Sequence, residues 1–138
     1  MWTEVYIQAL YLSQLSQNPK EIINDELEMS IRIEITSALV SSSRFTKSVH
    51  AGFEKSAGDN FAALKPRMEL LLSFLAEDIK RGDVFELTYN PNDSSLWIIK
   101  NKVLKWKVPG IDFKKVFFGI WLGDHPIDED LKKSLLGI

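Results

Sequence analysis

The sequence predicts an α+β fold, an antiparallel sheet with helices packed on one face. Three observations carry this. Several short segments alternate apolar and polar residues with period two, as half-buried strands do. Longer segments repeat their apolar residues at the helical period of 3.6. The order of the segments is strand, helix, strand, two helices, three strands, two helices. Hairpin-connected strands beside paired helices give segregated layers rather than a parallel βαβ sheet.

Thr3 to Leu12 comes first. Val5, Ile7, Ala9 and Tyr11 share one face, and Tyr6, Gln8, Leu10 and Leu12 the other. Both faces are largely apolar, so this strand is expected to be mostly buried. Asn18-Pro19 starts a short helix to about Asp25, with asparagine as cap and proline in the first position. Met29, Ile31, Ile33 and Ile35 alternate with Ser30, Arg32, Glu34 and Thr36, the cleanest half-exposed strand in the chain. Ser41-Ser42-Ser43 offers capping hydroxyls for a helix of about Arg44 to Ala57, with Phe45, Val49 and Phe53 on one stripe. Gly58-Asp59-Asn60 breaks it, and a second helix is expected from Phe61 to Lys80, with Pro66 in its first turn and Arg81-Gly82 as its stop.

Strands follow at Val84 to Tyr89, Ser95 to Lys100 and Val103 to Val108. Pro91-Asn92-Asp93 supplies one turn and Asn101-Lys102 a tight one, where lysine is less suited than glycine. Pro109-Gly110 ends the sheet, and Asp112 to Leu122 forms a helix burying Phe113, Val116, Phe117, Ile120 and Trp121. Asp128, Glu129 and Asp130 lead the last helix and Lys132 and Lys133 follow, as the helix dipole prefers.

The 138 residues suit one domain spanning 1–138. Hydrophobic residues are 45% and charged residues 26%, which is globular and argues against disorder. A net charge of -2 gives no overall attraction to nucleic acid or an anionic membrane. Cysteine is absent, so thiol catalysis, disulfides and thiolate metal sites are excluded. No apolar run is long enough for a stable membrane insertion.

The chemistry-bearing residues are sparse. The two histidines, His50 and His125, lack a placed third ligand, so no metal site is expected. Asp124, Asp128, Glu129 and Asp130 do not have EF-hand spacing, and helix-start charge accounts for them. No cofactor motif is present. Lys100, Lys102, Lys105 and Lys107 alternate with Trp97 and Trp106. Single-stranded nucleic acid binding is one reading; protection of an edge strand is the one favoured by the acidic net charge. Gly119 interrupts an apolar helix, either for close packing or for ligand space. Tyr6, Gln8, Phe53, Gly119 and Trp121 lie on segments that should meet around the core. They either pack together or line a cleft for an apolar ligand.

Three stretches, VYIQALYL near the start, FTKSVHAGFEKS in the middle and VPGIDFKKVFFGIWLGDHPIDEDLKKSLLG at the end, together resemble the chalcone isomerase-like family, in particular its bacterial branch. The resemblance runs from about Trp2 to Gly137. It implies an open-faced β-sandwich with a cleft between sheet and helices. The family includes plant enzymes that close a chalcone into a flavanone, and also fatty-acid-binding proteins. In the enzymes an arginine precedes the first of these strands, and no counterpart stands in this sequence. The enzymes' threonine on that strand falls at Tyr6, and the hydroxyl residue of the final apolar helix falls at Gly119. The resemblance therefore implies a non-catalytic protein holding a fatty acid or similar apolar molecule at Tyr6, Gln8, Phe53, Gly119 and Trp121. A structural or protein-interaction module with a closed cleft is the alternative, and an active isomerase a more remote one.

Family members usually carry strands before the first one here, so either the sequence is a trimmed piece of a longer domain or the domain is a shortened one. Its open sheet edge would then pair with a second copy. The compartment is expected to be periplasmic or extracellular if an export signal precedes Met1, and cytoplasmic otherwise.

Overall fold

The computed structural model describes residues 6–37, 41–77 and 79–138. Strands β1 (Tyr6–Leu12), β2 (Met29–Ile35), β3 (Val84–Asn90), β4 (Ser95–Lys100) and β5 (Val103–Pro109) form one antiparallel sheet in chain order. Helices α1 (Pro19–Asn24), α2 (Ser42–Ala57), α3 (Phe61–Leu75), α4 (Ile111–Leu122) and α5 (Glu129–Leu136) join them, with a 3₁₀ turn at Gly58–Asn60. The α+β class, the open antiparallel sheet and the element order agree with the sequence.

Capping side chains set the helix starts. Asn18 accepts from the backbone N–H groups of Lys20 and Glu21, Ser41 from Arg44, and Asp128 from Leu131. On the sheet, period two sorts the faces. Met29, Ile31, Ile33 and Ile35 of β2, Phe85, Leu87 and Tyr89 of β3, and Leu96 and Ile98 of β4 are all buried. Helices α2, α3 and α4 cover that face with Phe45, Val49 and Phe53, with Met68, Leu71 and Leu75, and with Phe113, Phe117, Ile120 and Trp121. Phe45 links the layers, its ring 5.4 Å from Tyr6 and 5.3 Å from Phe85.

Several expectations change. The strand expected from Thr3 begins at Tyr6 among the described residues, and Thr3 to Val5 lie outside them. It is an edge strand with only one face covered, so Ile7 and Tyr11 are 57% and 55% exposed. Helix α3 ends at Leu75 rather than Lys80, and Pro66 lies inside it rather than in its first turn. Ile79 still packs on the core, but from the connection to β3. Gly82, at φ 94°, turns that connection and donates to Ile35 O at 2.7 Å. Helix α4 is buried nearly all round instead of along one stripe, and Lys114 goes in with its apolar neighbours.

Candidate functional site

Of the five residues singled out from the sequence, Tyr6, Phe53 and Trp121 are buried in the packed core, Gly119 lies where α4 meets α2, and Gln8 is half-buried on β1; the sheet–helix interface itself is filled. Phe45, Phe53, Phe85, Phe113, Phe117 and Trp121 have no accessible surface, so no water-sized void adjoins them. Phe53 packs on Phe113 with ring centroids 5.2 Å apart, and Trp121 meets Phe117 edge-on at 5.2 Å. Tyr6 is 5% exposed, and burial pushes its phenol above the ordinary value against the opposing charge of Arg44. Gly119 admits α2. A Cβ there would fall onto Ser56 Oγ, whose hydroxyl donates to Val116 O at 2.7 Å. Gly52 does the same from the other side, since a Cβ there would meet Ile120 Cγ2 at 2.7 Å. The expected cleft beside Phe53, Gly119 and Trp121 is thus occupied by side chains, for two glycines let α2 and α4 close. Beside Gly119 lies a groove of about 220 Å³, lined by Ile23, Ser56 and Val116 together with Lys115, Asp124 and His125.

The larger space lies at the sheet edge, between β1 and α5. It measures about 580 Å³ and is lined by Leu10, Leu12, Leu15, Leu135 and Leu136, with Ser16, Gln17, Ser134 and Gly137. Leu10 and Leu12 continue the row on β1 that starts with Tyr6 and Gln8, so Gln8 stands next to the groove's inner end. Gln17 ties the mouth to α5, donating from Nε2 to Gly137 O at 3.1 Å. No ionisable side chain lines it. It offers an apolar bed with neutral hydrogen-bonding groups, and no nucleophile with a base beside it. The sequence signal for it was the alternating Leu10 and Leu12 at the end of β1 together with the Leu131–Leu135 spacing of α5; neither element alone points to a groove. Among the described residues no cluster of His, Asp or Glu could hold a metal.

Lys114 is the other residue the sequence reading missed. It is fully buried, and its Nζ donates to the carbonyls of Ile22, Ile23 and Asp25 at 3.1, 2.6 and 2.8 Å. It thereby caps the C-terminal end of α1 and fixes that helix to α4. Burial lowers its pKa to about 8, partly countered by Asp25 and reinforced by Lys115.

A family model described as chalcone isomerase-like matches residues 1–137. The crystal structure of a fatty-acid binding protein of Arabidopsis thaliana superposes with a TM-score of 0.72 at 16% identity, over 96% of this chain and 76% of that one. That likeness concerns the fold. No curated protein matches the chain. The narrower expectation of a bacterial branch is corrected by these findings: the match is to the chalcone isomerase-like family as such, and the similar structure is that of a plant protein.

Proposed function

The chain belongs to the chalcone isomerase-like family, and on that footing we propose that it is a non-catalytic carrier of an apolar small molecule such as a fatty acid. The observation that carries this is the leucine-lined groove between β1 and α5, about 580 Å³ and without an ionisable lining residue. That volume lies within the usual ~300–1,000 Å³ of small-molecule sites. The fatty-acid binding role named for the Arabidopsis structure supports the ligand class. On this reading Leu10, Leu12 and Leu135 hold the acyl chain and Gln8 is the next residue along the same row of β1, while Tyr6, Phe53, Gly119 and Trp121 belong to the packed core rather than to the groove lining. Gly119 supplies no hydroxyl, and the Ser56 hydroxyl beside it is taken up by Val116 O at 2.7 Å, which favours binding over isomerisation.

Displacement of a fluorescent fatty acid by saturated acids of increasing length tests this. Displacement is expected, and Leu135→Trp, which fills the groove, should abolish it. No displacement at any length, or an unaffected Leu135→Trp, would overturn the reading, as would chalcone cyclisation well above the spontaneous rate.

A second reading, self-association, is favoured by the contrast between the two sheet edges. Edge strand β1 has no charge, no proline and an unbroken register. Edge strand β5 has Lys105, Lys107, Pro109 and a register shift, the usual protection against pairing. A second copy pairing along β1 would show as a dimer in light scattering that Tyr11→Lys weakens. Monomer at high concentration would remove it.

A further inference from the structure

We propose that the β4–β5 hairpin docks this protein on an anionic lipid surface. Residues 100–107 carry four lysines and no acid. Edge protection accounts for lysines, but not for the apolar side chains between them. Val103, Leu104 and Trp106 are 56%, 45% and 45% exposed. The register shift places Leu104 opposite Ile99 and Trp106 opposite Ile98, so they emerge on opposite faces of the hairpin. The tip is therefore a wedge, apolar on both sides. Lys100, Lys105 and Lys107 are ion-paired with Asp83, Glu77 and Asp93 at 3.8, 3.3 and 3.6 Å, so the positive charge it offers outward is that of Lys102 at the turn with its neighbours Lys80 and Arg81, a combination that suits a headgroup–acyl boundary.

The tip is also preformed. Asn101 and Lys102 both have left-handed backbone, φ 50° and 68°, with lysine in a position that favours glycine. Asn101 exchanges hydrogen bonds with Val84 and donates from Nδ2 to Asp83 at 2.9 Å, which seats the tip on the Lys80–Asp83 turn. Exposed Lys80 and Arg81 of that turn join exposed Lys102 at the same end of the sheet. The opposite end is acidic. The connection from β1 to β2 holds Glu21, Asp25, Glu26 and Glu28 against Lys20 alone. A net charge of -2 thus hides a polarity that would orient the molecule with the hairpin toward negative charge.

Nucleic acid fits less well. Base stacking needs open aromatic faces, whereas Trp106 is stacked on Phe74 at 5.4 Å and Lys107 lies 4.0 Å over Trp97. Val103 and Leu104 would also be left against phosphates.

Co-sedimentation with vesicles tests the proposal. Phosphatidylcholine vesicles would be compared with phosphatidylcholine–phosphatidylglycerol vesicles at about three to one, at low and high salt. Binding to the mixed vesicles alone is expected, weakened by salt. Lys102→Glu should lower it by about fivefold or more. Val103→Ser with Leu104→Ser should lower it by roughly tenfold without changing the melting temperature. The proposal is overturned by equal binding to both vesicles, by no binding to either, or by a Val103/Leu104 double variant that binds like the wild type. It is also overturned if single-stranded DNA binds through the same lysines more tightly than the vesicles do.

Discussion

Gly119 sits in the middle of α4, where alanine would raise intrinsic helix stability by about 1 kcal/mol. A Cβ there would collide with Ser56 Oγ, while Ser56 Cβ lies at 3.7 Å, an ordinary contact. The obstacle is therefore one hydroxyl. It can rotate toward the groove shared with Lys115 and His125, but only by giving up its 2.7 Å bond to Val116 O. That carbonyl lies within the helix ladder, so the lost bond costs at the low end of about 0.5–1.5 kcal/mol. Overpacking adds roughly 1–3 kcal/mol if the hydroxyl does not move fully. Gly119→Ala alone should then destabilise by about 1 kcal/mol after the helix gain is subtracted. Ser56→Ala alone should cost a similar amount. The double variant removes the collision and keeps the helix gain, so it should lie within about 0.5 kcal/mol of wild type, a coupling of roughly 1.5–2 kcal/mol. Urea denaturation of the four proteins reads this directly. Additive losses, with no recovery in the double variant, would refute the account of Gly119 as the seat of a hydroxyl.

Gly52→Ala should be costlier than Gly119→Ala, by about 1–2 kcal/mol in the same assay, because its obstacle is the buried, β-branched Ile120 rather than a rotatable hydroxyl. Lys114→Met leaves three carbonyls without their donor while relieving a buried charge. A net loss of about 2–4 kcal/mol is expected, lowering Tm by roughly 10 °C. Lys114 also sets a pH dependence. Its folded pKa of about 8 lies below the ordinary lysine value of 10.5, so between those the unfolded chain binds the extra proton and stability rises with pH. Lys114→Met should lack that rise. At the acid end the sign is the same, but the origin differs. Asp112 is held low by its hydrogen bonds from Arg67 at 2.8–2.9 Å; Asp83, which burial alone would raise, is held low by Asn101, the Lys80 N–H and Lys100. Both contribute stability above about pH 4 that is lost as pH falls through their folded values, so acid titration of Asp83→Asn should show a smaller fall than wild type. Lys102→Gly should stabilise by about 0.5–1 kcal/mol, since glycine adopts φ 68° without strain.

Local chemistry made most of the fold legible. Asn18, Ser41 and Asp128 announce their helices because a side-chain oxygen there satisfies N–H groups no other partner can reach. The Met29–Ile35 alternation fixes which face of the sheet is covered. What sequence could not carry was position within the sheet. Two apolar faces on Tyr6–Leu12 suit a central strand, yet β1 is at the edge, and the leftover apolar surface becomes groove wall and exposed rim. Lys114 escaped for a related reason. Between Phe113 and Lys115 it looks like a solvent-facing charge, and only the arrival of the α1 carbonyls gives it a buried place.

The glycines explain why the ligand space moved. Gly52 and Gly119 stand on facing helices, and each lacks a side chain where the other helix arrives. Close approach brings Phe53 onto Phe113 and leaves Phe117 and Trp121 without accessible surface, so the middle of the sheet–helix interface has no room for a ligand. Helix α5 cannot close in the same way. It crosses β1 through leucines and has no glycine facing the strand, and the Gln17–Gly137 bond holds the segment before α1 across its end. A gap therefore persists at the edge, walled by flexible, branched side chains that tolerate an inserted chain better than stacked rings do. Filling the centre and opening the edge are two results of one packing choice. Substitutions at Gly52 or Gly119 should change stability with little effect on ligand affinity, while substitutions at Leu12 or Leu135 should do the reverse.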